Sequence, residues 1–209
     1  MAPEQVTVIA NAISARHRVL ILTAANTGLR FGELAGLRIK RLDLLKRTVT
    51  VTEQLTEVRG RAEYSEPKHG SRRTLTLPRF LCDELALHLA SYPPVEGHVF
   101  TMSEGGPLRY SNFRRRVWLP AVEATGFTDF TFHSLRHSHA AVLIALGEHP
   151  KVISSRLGHS SISVTMDTYG HLFDGLDARA ADRLDEAYSR PSAPISRPSS
   201  SSEVAQLFS

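Results

Sequence analysis

The chain has 209 residues, 42% of them hydrophobic, and a formal charge of +4, which fits one domain with attachments and leaves ample length for a buried core. No stretch reaches the ~18 uninterrupted apolar residues of a membrane helix, and the first residues carry Glu4 without the basic cluster of a secretory signal. The single cysteine, Cys82, excludes an internal disulfide and the commonest zinc ligand sets, which places the chain in a reducing cytoplasm.

In chain order, the N-terminal stretch reads as two helices. Ala10, Ile13, Val19, Leu20, Leu22 and Ala25 recur at helical spacing, with a join at residues 16–18, and Gly28 ends the pattern. Residues 31–37 form a short helix. Residues 48–58 switch to a strand pattern, followed by strands at 62–66 and 73–77 with a tight turn at Lys68-His69-Gly70-Ser71 between them. Pro78 opens a helix with Leu81, Leu85 and Leu89 as its stripe, and 98–102 is a short extended segment. Ser111 caps a helix that runs to Thr125 and is closed by Gly126. Four further helices are expected at 134–146, 150–157, 161–169 and 177–188. The fold class is α+β and mainly helical, with one small antiparallel three-stranded sheet inserted after the first helices. Residues 189–202 are rich in Ser, Pro and Arg and read as disordered, and 204–208 as a frayed end or a weak docking segment.

Four segments carry chemistry. In Thr27-Gly28-Leu29-Arg30 an arginine stands on a glycine turn before a helix, where backbone can approach a phosphate; an ordinary interhelical turn is the alternative. Lys68, in a hairpin, is either a mobile proton donor or solvated surface. His133 and Arg136 share a helix face at i, i+3 and can converge on one anion. His133 and His137 have the i, i+4 spacing of a zinc pair, but a third ligand and an intervening glutamate are missing, so His137 and His139 read as structural or surface residues. In the last segment Leu157-Gly158-His159 closes one helix, Ser161 caps the next, and Tyr169 lies in its final turn, either as a reactive group or as a core tyrosine.

Taken together and in this order, Gly-Leu-Arg30, the hairpin Lys68, His133-Ser-Leu-Arg136, Leu-Gly-His159 and Tyr169 resemble the catalytic domain of the tyrosine recombinases, the phage-integrase family, over residues 3–185. Ser134 departs from the acidic residue often found there. The resemblance implies an integrase-type catalytic domain and DNA strand exchange by transesterification. Tyr169 would be the nucleophile, forming a 3′-phosphotyrosyl link. Arg30 and Arg136 would clamp the non-bridging oxygens, and Lys68 would protonate the departing 5′-oxygen. His133 would act as proton acceptor or phosphate ligand, and His159 as the second imidazole on the phosphate. Glu33 would support the arginine turn. No metal, ATP or other cofactor is expected, because the ester conserves the energy of the broken phosphodiester.

The excess of arginine (21, against four lysines) fits a polyanionic partner, though a GC-rich genome would also produce it. Arg109, Arg114, Arg115 and Arg116, with Arg72 and Arg73 beside the hairpin lysine, form patches that either track DNA phosphates or are solvated faces. Expected partners are double-stranded DNA, other recombinase protomers in a tetrameric synapse and an accessory DNA-bending protein, with no membrane. Residues 1–188 would form the catalytic domain and 189–209 the tail, with the family's N-terminal core-binding domain absent. The competing readings are a non-catalytic or truncated DNA-binding relic and a helix-turn-helix regulator built from residues 152–169. The second is weakened by a recognition helix with no Arg, Lys, Asn or Gln.

Overall fold

The computed structural model describes residues 1–68, 71–173 and 176–189. Helix α1 (Pro3–Ala12) starts with Pro3 in its first turn and with the Gln5 side-chain oxygen accepting the Ala2 N–H at 2.8 Å. The break before α2 (Ala15–Thr27) falls at Ile13 and Ser14, upstream of the join expected at 16–18. Ile13 leaves the helix in an extended conformation (φ −83°, ψ 160°) yet stays buried, so packing rather than charge sets the boundary.

α2 is the central helix. Leu20, Ile21, Thr23, Ala24 and Thr27 are all buried, and the two threonine hydroxyls donate to carbonyls of the same helix, Val19 O (2.7 Å) and Thr23 O (2.6 Å). It packs against α1, α4 (Arg79–Ser91) and α7 (Ser134–Ala145). Gly28 ends it at φ +67°, where a side chain would be strained and its Cβ would lie 2.7 Å from Leu157 Cδ2 and 2.8 Å from His139 Cδ2.

Helix α3 (Phe31–Ala35) follows, and its Gly32 lets a strand lie directly on it: a Cβ there would come within 2.7 Å of the Leu55 carbonyl. That docking explains a difference from the sequence expectation. The strand expected over 48–58 is two strands, β2 (Thr48–Val51) and β3 (Gln54–Val58), in different sheets. β2 is the middle strand of a three-stranded antiparallel sheet in the order β1-β2-β5, with β1 at Leu42–Asp43 and β5 at Arg73–Thr76. Its register pairs Val49 with both Leu42 and Leu75. β3 pairs instead with β4 (Arg61–Ser65) in a two-residue hairpin whose turn, Arg59 (φ 49°) and Gly60 (φ 76°), needs positive φ at both positions. β4 and β5 therefore do not pair. Lys68 lies on the connection between the two sheets, where the Ser71 N–H donates to the Lys68 carbonyl (3.3 Å); residues 69 and 70 lie outside the described residues.

The helix expected over 111–125 is α5 (Tyr110–Phe113), a π-helical turn (Arg114–Trp118) and α6 (Leu119–Ala124) in one continuous helical run. Pro120 lacks the N–H that would bond the Arg116 carbonyl, and the Leu119 N–H reaches back to Arg114 O. The cap is Arg109 rather than Ser111, whose hydroxyl donates to Glu57 (2.7 Å). Helices α7, α8 (Pro150–Leu157) and α9 (Ile162–Tyr169) stand where the sequence places them. The mainly helical α+β architecture with a small antiparallel sheet is thus the one observed.

The chain divides after Leu172, ahead of the boundary expected at residue 188; the second unit begins at Phe173, and its described part includes helix α10 (Leu176–Ser189). The tail expected at 189–209 lies, past Ser189, outside the described residues. No helix among the described residues is long and apolar enough to cross a membrane.

One aromatic cluster in the core sets the site. Phe31 meets Phe132 edge-on (5.1 Å) and Phe113 (5.2 Å), and Trp118 meets Phe132 (5.5 Å) while its Nε1–H donates to Phe130 O. Phe31 follows Arg30 and Phe132 precedes His133, so the packing of these rings fixes two distant turns against each other. Gly28→Ala should destabilise the fold by about 2–4 kcal/mol, from left-handed strain and overpacking. Denaturant unfolding checks this, and a loss below about 0.5 kcal/mol would contradict the close packing at Gly28.

Candidate active site

Arg136 projects from the first turn of α7 and is 3% exposed. Its Nη1 donates to Gly28 O (2.6 Å) and its Nη2 to Leu157 O (2.7 Å), the carbonyls at the ends of α2 and α8. Helix-end carbonyls lack intrahelical partners and carry the negative end of the helix dipole, so they suit a buried cation. Burial first, and then Arg30, push the Arg136 pKa down to about 10, which leaves it charged at neutral pH.

Arg30 caps α3. Its N–H donates to Glu33 Oε2 (2.9 Å) and its Nη1 to Glu33 Oε1 (3.0 Å). Glu33, whose side chain is fully buried, also takes a two-pronged contact from Arg73 (Nη1 to Oε1 3.0 Å, Nη2 to Oε2 2.8 Å). Burial works to raise the Glu33 pKa, but the hydrogen bonds and charges of Arg73 and Arg30 outweigh it and hold the carboxyl below the usual range. Arg73 also donates from Nε to Arg156 O (2.8 Å), and its guanidinium packs against Gly158. Arg73 is therefore largely buried, not on the solvated face that the sequence allowed for it. It is occupied by a buried carboxylate and ties β5 and α3 to the turn that carries His159.

His159 is half-buried, with Thr165 Oγ1 2.8 Å from its Nδ1. With the threonine hydroxyl donating, the imidazole carries its proton on Nε2 and offers a neutral donor. Burial first, then Arg136, Arg30 and Arg73, bring its pKa down to about 4. His133 is exposed, and burial of its ring, His137, Arg136 and Arg30 lower its pKa too. Ser134 serves the local turn, accepting the Thr131 N–H (3.1 Å). Tyr169, the last residue of α9, is 4% exposed, and the chain continues into a 3₁₀ turn (Gly170–Leu172). Burial raises its pKa and Arg136 opposes the rise.

The fold thus brings Arg30, Arg136, His133, His159 and Tyr169 into one electrostatic neighbourhood. Lys68 is exposed, and among the described residues its side chain makes no hydrogen bond with them. The sequence pattern of the Phage integrase family matches residues 1–175. The chain belongs to this family. It is 30% identical over 171 residues to the ICEBs1 integrase of Bacillus subtilis (strain 168), covering 77% of this chain and 46% of that protein. It is 29% identical over 196 residues to a XerC-like tyrosine recombinase of Caldanaerobacter subterraneus subsp. tengcongensis, covering 83% and 50%. The Tn1549 transposon integrase, solved in complex with circular intermediate DNA, matches its fold with a TM-score of 0.75 at 23% identity, over 88% of this chain and 66% of that one. The chain spans about half the length of the curated relatives it matches.

Around this integrase-family site, the remaining arginines expected to meet DNA are unequal. Arg72 pairs with Glu66, Arg109 donates to Gly60 O (3.0 Å) and Arg116 lies 4.0 Å from Glu104. Arg114 and Arg115 are exposed, with no side-chain hydrogen bond or ion pair among the described residues. His139 is structural, as expected: it is buried, its Nδ1 bonds Ala25 O (3.1 Å) and its Nε2 accepts from Arg156 (3.2 Å). His137 is exposed on the same helix. Its Nδ1 lies 2.9 Å from the Tyr169 hydroxyl. The signal in the sequence was the i, i+4 spacing with His133, which places both imidazoles on one face of α7.

Removing one partner of a buried ion pair costs about 3–5 kcal/mol, so Arg73→Ala should lower unfolding stability by that order. Arg72→Ala, at an exposed pair, should change it by less than about 0.5 kcal/mol. Equal effects in denaturant unfolding would contradict the burial of Arg73. Because the Glu33 pKa is depressed in the fold, its carboxylate contributes fully above its ordinary value of 4.5, and the contribution is lost as pH falls through the lower folded value. Glu33→Gln should flatten that acid-side fall in stability; an unchanged slope would contradict the assignment.

Proposed function

We propose that the chain is the catalytic part of a site-specific DNA recombinase that cuts and rejoins strands through a 3′-phosphotyrosyl intermediate on Tyr169. The observation that carries this reading is the cluster around the buried Arg136, which has Arg30, the imidazoles of His133 and His159, and the buried Tyr169 in its electrostatic neighbourhood. Membership of the integrase family and the DNA-bound state of the Tn1549 relative support it.

A DNA phosphate between Arg30 and Arg136 meets two fixed cations. As Tyr169 Oη attacks phosphorus, negative charge grows on the non-bridging oxygens, where preorganised donors are worth most. Arg136 has two N–H groups on helix-end carbonyls, which leaves its remaining donors for the phosphate. His159 adds a neutral Nε2–H donor and His133 a second imidazole. Lys68 delivers a proton to the departing 5′-oxygen, and its exposed place between two sheets leaves it free to swing toward bound DNA. Rejoining reverses these steps with the energy held in the ester, so neither a nucleotide nor a metal enters the scheme.

Double-stranded DNA is the substrate, and the working location is the cytoplasmic compartment that holds it. Arg114 and Arg115 are the strongest candidates for further phosphate contacts, with Arg72, Arg109 and Arg116 able to exchange their present partners for phosphate. Strand exchange requires further protomers, in a tetrameric synapse, and an accessory DNA-bending protein belongs to the same scheme. A helix-turn-helix reading of α8 and α9 is not favoured. The buried residues of α9 are Thr165 and Tyr169, and its exposed positions include Ile162, Val164, Met166 and Asp167, with no side chain suited to bidentate base reading.

The test is a pool of nicked duplexes of randomised sequence, from which the short 5′-hydroxyl fragment escapes after cleavage and traps the covalent complex. Wild-type protein should give an SDS-resistant adduct and Tyr169→Phe none, while both bind DNA. Arg136→Lys keeps a charge but loses the fork and should slow adduct formation by at least about 10². An undiminished adduct with Tyr169→Phe would overturn the proposal.

A further inference from the structure

Tyr169 poses a proton problem. Burial raises its pKa above the ordinary phenol value, so it is protonated at neutral pH and must lose a proton as it attacks. At 4% exposure it has little direct access to water. Its hydroxyl has one hydrogen-bond partner among the described residues, His137 Nδ1 at 2.9 Å, within the 2.6–3.2 Å expected of a general base. The rings meet edge-on, with centroids 5.6 Å apart.

The other candidates are placed differently. Arg136 and Arg30 are cations with no acceptor. His159 has Thr165 on its Nδ1. His133 makes no hydrogen bond to Tyr169 and lies edge-on to His137, with centroids 4.8 Å apart. Among the described residues His137 alone hydrogen-bonds the phenolic oxygen, and it is itself exposed to solvent. It therefore joins a buried hydroxyl to bulk water.

We propose that His137 is the group that takes the Tyr169 proton during strand cleavage and returns it during rejoining. The inference rests on the proposed phosphotyrosyl chemistry and names a residue that the sequence reads as structural or surface. In cleavage the Oη–P bond forms, the P–O5′ bond breaks, the phenolic proton passes to His137 Nδ1, and the 5′-oxygen is protonated by the Lys68 ammonium. His133 is then left to act on the phosphate.

His137 is suited to receive a proton because it is neutral at pH 7. The groups that face it are His133 and Arg136 on its own helix, Tyr169 from α9 and the Met1 amino group from the N-terminus. Burial first, then the positive charges of Arg136 and the N-terminus, hold its pKa below the ordinary 6.5. The rate should therefore fall only as pH drops below that value.

The experiment measures adduct formation by the full chain on a duplex recovered from the trap, across pH 6–9, for wild type, His137→Ala and His137→Asn. The asparagine amide can reach the Nδ1 position and accept the phenol's hydrogen bond, but it takes no proton. Both variants should be slower at pH 7 by about 10²–10⁴-fold. Their rates should climb with pH as hydroxide takes over, and added imidazole should partly restore His137→Ala. If His137→Asn reacts at the wild-type rate with the wild-type pH profile, the residue only holds the ring and the proposal falls while the recombinase reading stands. If wild type forms no adduct on any duplex, the recombinase reading fails and this inference with it.

Discussion

The site depends on a permanent positive charge held inside the protein. Arg136 is almost fully buried, and two of its donors close the exposed carbonyl ends of α2 and α8. A buried cation without partners would be very costly, and a cation with every donor occupied would be useless to a substrate. Two helix ends arriving at one guanidinium solve both problems. They stabilise the charge, fix its plane, and leave the remaining N–H groups for an anion. Gly28 is part of that arrangement, because its left-handed turn both ends α2 and presents the carbonyl that Arg136 holds.

The rest of the site is built to keep that charge in position. Glu33 sits between Arg30 and Arg73, so the second arginine of the site is held through a carboxylate that a third arginine clamps from β5. Arg73 reaches the α8–α9 turn as well, which couples the sheet to His159. Phe31 and Phe132 pack edge-on in the core and carry the Arg30 and His133 turns on their neighbours. Burial first, and then this density of cations, bring the His159 pKa down to about 4, so the imidazole adds no charge to the site at neutral pH.

Much of this was legible in the sequence. The helices at α7, α8 and α9 follow from periodicity, a proline at a start and a glycine at an end, all of which are local signals. The identities of Arg30, His133, Arg136, His159 and Tyr169 follow from motif order, and the structure gathers them, while the role of each remains to be tested. What was not legible is tertiary. Val49, Val51 and Leu55 keep one alternation, so nothing local reveals that β2 and β3 belong to different sheets; the bare surface of Gly32 on α3 decides it. Arg72 and Arg73 are indistinguishable as adjacent arginines in sequence, yet one meets solvent and the other a buried carboxylate. His137 was visible only as a spacing, and that spacing has a different meaning once α9 delivers Tyr169 to the same face.

The central claim is that this cationic seat delivers a DNA phosphate to one phenolic oxygen. Peptide mapping of a trapped protein–DNA complex after nuclease digestion tests it most directly. The account predicts a 3′-phosphonucleotide attached to the peptide that contains Tyr169, and to no other. Attachment at any other tyrosine, or at a serine, would contradict it.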